Sequence, residues 1–325
     1  MSMKAQQPLL ETRGLKKYYP IKGGFLKRTK NHVKAVQNIS LKVYKGETLG
    51  IVGESGCGKS TFGRTILGLE DLTDGSILFR GEHIEHLSDR KLKKYKRDMQ
   101  MIFQNPFASL NPRQRIGSAL DEILVIHMKQ SKAERDQSVK NLLLEVGLKE
   151  EHYHRYPHEL SGGQRQRVGI ARAIALNPSL IVCDEAVSAL DVSVQAQVIK
   201  LLKELQVAHD LTYIFISHDL GVVRHLCDRV LVMYLGSMVE LGTSDQIYNN
   251  ALHPYTGSLL SAIPRPVPGR KKERIKLQGD LPSASNYPSG CPFHTRCPIA
   301  QEHCKMRVPE WREVEPGHFV ACHEV

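Results

Sequence analysis

Gly53-Glu54-Ser55-Gly56-Cys57-Gly58-Lys59-Ser60-Thr61 is the stretch whose reading decides the fold. It fits G-x-x-x-x-G-K-S/T, the loop whose backbone amides wrap nucleotide phosphates. Successive N–H groups at a strand-to-helix turn converge on a β-phosphate, and glycines let the backbone come close with no Cβ in the way. The following helix adds its positive N-terminal end. In such a loop Lys59 reaches the β- and γ-phosphates as a point charge, and the Ser60 hydroxyl holds Mg2+. The flanks agree: Thr48-Leu49-Gly50-Ile51-Val52 reads as a short buried strand and Thr61 to Leu69 as a helix.

Outward from this loop, strands and helices alternate. Leu9 to Leu15 has strand alternation, Tyr18-Tyr19-Pro20 leads into a basic loop from Ile21 to Lys34, and Ala35 to Val43 resumes the strand period. Asp74-Gly75 turns into the strand Ser76 to Phe79, and Met99 to Gln104 is a strand ending on a polar residue. Asn105-Pro106 through Asn111-Pro112 is loop. From Ile116 to about Gly147, Leu120, Ile123, Leu124, Val139, Leu142, Leu143 and Val146 recur at helical spacing, as a helical insertion would. A helix runs from Ser161 through Arg172, then strand Leu180–Cys183, helix Ser193–Ala208, strand Thr212–Ile216, helix Leu220–Leu226 and strands Val230–Tyr234 and Met238–Glu240. This order predicts an α/β fold with a mostly parallel sheet. Pro264, Pro266 and Pro268 mark a linker, followed by the basic Arg270 to Arg274.

The composition, 41% hydrophobic and 24% charged over 325 residues, is that of a soluble globular chain with one large and one small domain. No apolar run reaches the ~20 residues a membrane span needs, and Met1 to Glu11 lacks the apolar core of a signal peptide. A cytoplasmic location is therefore expected. A net charge of +11 admits nucleic acid, an anionic membrane surface, or nothing specific. With aromatics at 6%, stacking platforms for single strands are not evident, so no nucleic-acid partner is expected. The basic run Arg90 to Arg97 reads first as a solvated helix face, with anionic lipid or nucleic acid as the other reading. Of seven cysteines, Cys57, Cys183 and Cys227 are scattered on core elements, whereas Cys291, Cys297, Cys304 and Cys322 crowd the tail. In a reducing compartment those four are not a disulfide framework.

Two further motifs carry chemistry. Leu180-Ile181-Val182-Cys183-Asp184-Glu185 is an apolar strand ending in two carboxylates. In a phosphate-loop enzyme the first, Asp184, sits near Mg2+ and the second, Glu185, polarises an attacking water as general base. Leu160-Ser161-Gly162-Gly163-Gln164 places Ser161 and the amides of Gly162 and Gly163 at a helix N-terminus, donors fit for a γ-phosphate.

With L-S-G-G-Q following a phosphate loop, the chain resembles the ATP-binding cassette (ABC) ATPases. The resemblance implies an ABC-type phosphate-loop fold: a RecA-like core, an antiparallel β subdomain and a helical subdomain at about 105–160. It also implies two cassettes that sandwich two ATP molecules, each signature helix completing the partner's phosphate loop. Gln104 matches the family's Mg2+-sensing glutamine, Ser188 to Asp191 the loop that crosses the dimer interface, and His218 the histidine that contacts the γ-phosphate. Tyr19 aligns with the aromatic that stacks on adenine, with Tyr18 as the alternative. One departure stands out: where the family writes Asp-Glu-Pro, Ala186 follows Glu185, leaving φ free where proline would fix it.

The basic loop Ile21–Lys34, the runs Gln104 to Pro112 and Ala189 to Gln197, and His253-Pro254-Tyr255-Thr256 resemble the bacterial dipeptide/oligopeptide importer ATPases. That group implies an ATPase on the cytoplasmic face of the inner membrane, paired as a heterodimer with a second ABC ATPase subunit. Its other partners are two transmembrane permease subunits and a periplasmic or lipid-anchored substrate-binding protein. Gln104 to Leu110 would form the dock for the permeases. Nickel and antimicrobial-peptide uptake ATPases share most of these marks, and a soluble ABC ATPase acting on nucleic acid or ribosomes is the rival suggested by the charge. On this reading 1–252 is the ATP-binding domain and 253–325 a small Cys-rich extension. Four thiolates are enough to close a tetrahedral site. The resemblance points to a 4Fe–4S cluster on Cys291, Cys297, Cys304 and Cys322, with zinc and unligated thiols as the other readings.

Overall fold

The computed structural model describes residues 7–23, 28–105, 110–263, 275, 277 and 279–325. In chain order these form strands β1 (Leu10–Gly23), β2 (Arg28–Val43) and β3 (Thr48–Val52), helix α1 (Lys59–Ile66), strands β4 (Asp74–Phe79) and β5 (Glu82–His83), helix α2 (Asp89–Asp98) and strand β6 (Met99–Ile102). Helices α3 (Ile116–His127), α4 (Lys132–Glu145) and α5 (Gly162–Ile174) follow, the last preceded by 3-10 turns at Glu150–His154 and Pro157–Glu159. Next come β7 (Leu180–Asp184), α6 (Val192–His209), β8 (Thr212–Ile216), α7 (Leu220–Leu226), β9 (Arg229–Tyr234), β10 (Ser237–Thr243), α8 (Ser244–Asn249) and α9 (Pro254–Ser261). The tail adds α10 (Glu302–Met306), β11 (Arg312–Glu315) and β12 (His318–Val320). Two compact units divide the chain, one within Met1–His86 and Ser217–Val325, the other within Leu87–Ile216.

The first unit holds an antiparallel sheet in the order β2-β1-β4-β5. Here the sequence expectation needs correcting. Most of the segment 21–34 is strand rather than loop: β1 continues through Tyr18-Tyr19-Pro20 and pairs with β2 from Tyr18↔Lys34 to Gly23↔Arg28. Pro20 is tolerated because β4 accompanies β1 only as far as Lys16↔Asp74, so its missing N–H faces no ladder on that side. Residues 24–27 lie outside the described residues. The same unit carries β3 parallel to β9, with β10 antiparallel to β9 and then β12 and β11 added in turn. The tail thus extends the sheet that bears the phosphate loop. β3 is buried throughout, as a Val/Ile/Leu strand covered on both faces must be. Helix α1 starts at Lys59, two residues before the expected Thr61, and is stopped by Gly68 at φ 63°.

In the second unit β6, β7 and β8 run parallel, with Met99↔Leu180 and Leu180↔Thr212 in register. The helical insertion resolves into α3 and α4, separated by a capping box in which Ser131 Oγ accepts from Glu134 N and Glu134 accepts from Ser131 N. The basic run 90–97 is helix α2, largely exposed, with Tyr95 turned inward at 9% exposure. Among the described residues no helix is long and apolar enough to cross a membrane. The proline-marked linker and Arg270 to Arg274 lie outside the described residues.

Candidate nucleotide site

In the first unit the phosphate loop joins the end of buried β3 to α1. Gly58, the N-cap of α1, holds φ 98°, and a Cβ there would meet the Ala35 carbonyl oxygen at 2.0 Å. Only glycine fits, and the first turn of α1 is left without a capping side chain or an acidic residue. Its amides and dipole therefore face the loop unopposed. Lys59 is 4% exposed, and its Nζ donates to the carbonyls of Gly53 and Glu54, both at 2.8 Å. The buried Cys57 thiol lies 3.7 Å from the same ammonium. Tyr19 sits on the α1 side of β1, its hydroxyl donating to Glu70 and within hydrogen-bond reach of Thr61. Tyr18 turns instead to Gln37 Oε1, at 2.5 Å. His218 is exposed, in the turn tied to β3 by Ser217 N donating to Ile51 O at 3.1 Å.

The second unit gathers the carboxylates and the signature. Asp184 ends β7 at 1% exposure, and Glu185 follows with φ 48°, a left-handed conformation that non-glycine residues enter at a cost. Gln104 Nε2 donates to Glu185 Oε2 at 2.8 Å. Beyond buried Ala186, Ser188 ties the turn by donating from both N and Oγ to the Glu185 carbonyl, at 3.1 and 3.0 Å. Ser161 caps α5 in a full capping box: its Oγ accepts from Gln164 N at 3.3 Å, and Gln164 Oε1 accepts from Ser161 N at 2.9 Å. Ser161 and Gly162 are exposed. Gly163 is tightly packed, because a Cβ would lie 2.6 Å from Val194 Cγ1 on α6. Asp191 is the exposed N-cap residue of α6. Pro106 to Ser109, part of the expected permease dock, lie outside the described residues.

Two contacts were missed by the sequence reading. Arg296, in the tail, pairs with the phosphate-loop residue Glu54 through two hydrogen bonds, Nη1 to Oε2 at 2.6 Å and Nη2 to Oε1 at 3.0 Å. Tyr255 Oη accepts from Glu54 N at 2.8 Å. The motif His253-Pro254-Tyr255-Thr256 held a signal for the second; nothing flagged the first. In the same tail Cys291 and Cys304 are joined through the backbone, Cys291 N donating to Cys304 O at 2.8 Å. Burial pushes the Cys291 thiol up to about 11, and Cys304, Cys322 and Cys297 lie close enough to add to the shift. Burial likewise raises Cys297 and Cys322. The side chains that converge within 4.8 Å of one another are His303, Cys304 and Glu324, among the described residues, rather than three of the thiols.

Phosphate loops serve many nucleotide hydrolases; the capped Leu160–Gln164 turn narrows the class to ATP-binding cassettes. Solved cassettes share the fold. The dimeric MJ0796 cassette bound to ADP and Pi superposes with a TM-score of 0.65 at 29% identity, over 72% of this chain and 98% of that one. CbiO1 of Clostridium perfringens, part of the cbiONQ transporter complex, gives 0.65 at 26% identity, over 75% and 92%. The ABC transporter family model matches residues 36–188, and the model for the oligopeptide/dipeptide transporter C-terminal region matches 239–304. The chain belongs to the ATP-binding proteins of the ABC transporter family, in the group that carries this C-terminal region. It is 56% identical to the oligopeptide transport ATP-binding protein AppF of Bacillus subtilis, over 99% of both chains. It is 49% identical to the dipeptide transport ATP-binding protein DppF of Haemophilus influenzae, over 99% of this chain and 98% of that one. The oligopeptide transport ATP-binding protein OppF of the same organism is 53% identical over 90% and 89%.

Proposed function

We propose that this chain is the ATP-hydrolysing subunit of a bacterial ABC importer that takes up dipeptides or oligopeptides across the inner membrane. The hydrogen bond between Gln104 and Glu185 carries the hydrolytic part of the reading, because it aims a carboxylate held in a left-handed turn. Glu185 is the general base for water, and Lys59 and His218 neutralise the γ-phosphate. The donors offered to Mg2+, the Ser60 hydroxyl, the Asp184 carboxylate and the Gln104 amide, are all oxygens, as this hard cation prefers. Tyr19 rather than Tyr18 is the adenine platform, since Tyr19 is the ring whose hydroxyl reaches the phosphate-loop residue Thr61. Ser161 to Gln164 and Asp191 serve the ATP of a second cassette, a different chain in a heterodimer. Exposure of Ser161, Gly162 and Asp191 supports that role. Two permeases and a periplasmic or lipid-anchored binding protein complete the importer, with the ATPase at the cytoplasmic face. Residues 1–252 are its cassette and 253–325 its extension.

For the tail, the donor chemistry suits a 4Fe–4S cluster better than zinc. Zinc–thiolate bonds of ~2.3 Å require sulfurs less than about 4 Å apart, closer than these thiols converge. Burial raises the Cys291, Cys297 and Cys322 thiols, a penalty that bound iron removes by stabilising thiolate. Such a cluster would cross-link the tail.

Glu185→Gln tests the core of this proposal. The variant should bind ATP normally and hydrolyse it about 10²–10⁴-fold more slowly, the usual weight of a general base; normal turnover would remove Glu185 from that role. Recovery of the native chain together with membrane permeases supports import, and recovery with ribosomes or DNA in their place would overturn it.

A further inference from the structure

Every polar main- and side-chain group of Glu54 has a partner, and two of the four partners, Arg296 and Tyr255, come from residues 253–325. Its carboxylate is gripped by both terminal nitrogens of Arg296, at 2.6 and 3.0 Å. Its N–H donates to Tyr255 Oη at 2.8 Å, from a ring with 0% exposure. Its carbonyl accepts from Lys59 Nζ at 2.8 Å and from Cys57 N at 3.3 Å. The ion pair is largely withdrawn from water, with 8% of the Arg296 side chain and 29% of that of Glu54 exposed. The guanidinium also lies over the Tyr234 ring, 5.9 Å from its centroid, and Tyr234 packs on Phe293, three residues before Arg296. The grip is thus part of a packed tail rather than a surface encounter.

A carboxylate inside a phosphate loop is a liability. It places a negative charge beside the site that must take a nucleotide's phosphates, and low solvent exposure strengthens the repulsion. Arginine cancels that charge with a planar, always-protonated fork that also fixes the carboxylate's direction. Because Lys59 holds the Glu54 carbonyl, anything that moves Glu54 moves the ammonium that answers the phosphates.

We propose that the tail is a clasp on the phosphate loop, with Arg296 as the positioning residue that neutralises Glu54 and, through it, sets the loop and Lys59 for nucleotide. This rests on reading Gly53–Thr61 as the nucleotide loop. The full-length chain is titrated with Mg·ATP and with a fluorescent ADP analogue, with circular dichroism as the check on folding. Arg296→Gln should weaken nucleotide binding about 10–100-fold, the usual scale of coupling between a binding site and a residue that positions it. Glu54→Gln combined with Arg296→Gln, which removes the charge that needed cancelling, should return affinity to within about threefold of the native chain. A merely structural arginine would give no such rescue. Arg296→Gln binding within twofold of native would overturn the clasp, and so would a double variant as weak as the single one. If Arg296→Gln does not fold, Arg296→Lys decides: it keeps the charge and loses the fork, so several-fold weaker, salt-sensitive binding is expected, and native affinity at all salt concentrations would overturn the proposal. A native chain whose binding is no better than that of Lys59→Ala would instead overturn the nucleotide reading of the loop, and the clasp with it.

Discussion

His253 illustrates how a single buried residue sets a response to pH. It N-caps α9, its Nδ1 accepting from Tyr255 N at 3.1 Å, and its own N–H donates to Glu240 at 2.9 Å. Burial pushes its imidazole down to about 3. An unfolded chain takes that proton near 6.5. Between these values the unfolded state binds one proton more than the folded state, so stability is full above ~6.5 and falls as the pH drops toward ~3. The slope is up to about 1.4 kcal/mol per pH unit. His253→Asn keeps a capping acceptor and removes the titration. Its urea midpoint should therefore fall less steeply than that of the native chain between pH ~6.5 and ~4; equal slopes would show that His253 does not carry the effect.

Among elements, the signature helix shows what its pattern revealed and what it hid. Ser161, Gln164 and the apolar spacing behind them announced the start of α5 and its cap, because capping is local chemistry written within four residues. The need for Gly163 was not legible, since it comes from Val194 on a different helix. Val194 is β-branched and stiff. Gly163→Ala should therefore destabilise by about 1–3 kcal/mol, the range for overpacking, measurable as a lower denaturant midpoint at unchanged slope. A neutral result would mean that α6 can retreat. The same division explains the hairpin of β1 and β2. The segment 21–34 reads as loop because its lysines and glycines are strand-poor, yet pairing from Tyr18↔Lys34 onward overrides local preference. The strand ends, phosphate loop and paired carboxylates were legible because each is a short motif on one element. Arg296 was not, because its partner lies 242 residues away and no periodicity connects them.

At the scale of the whole chain, the tail is part of the cassette's own sheet. β12 pairs with β10 at Glu240↔Val320, and the fully buried Glu240 takes a contact from His318 Nε2 at 2.8 Å. A chain ending at Leu252 would leave that carboxylate without His318 and the N–H of His253, and β10 without β12 on its outer edge. Stranding a buried charge costs about 3–5 kcal/mol, so its Tm should drop by at least ~6 °C. An unchanged Tm would show that the tail is dispensable to the fold. Time enters through the same connection. Glu54 leaves the ribosome 242 residues before Arg296, which at ~5–20 residues per second is a delay of roughly 10–50 s. A nascent chain therefore cannot close the clasp on its phosphate loop until that interval has passed.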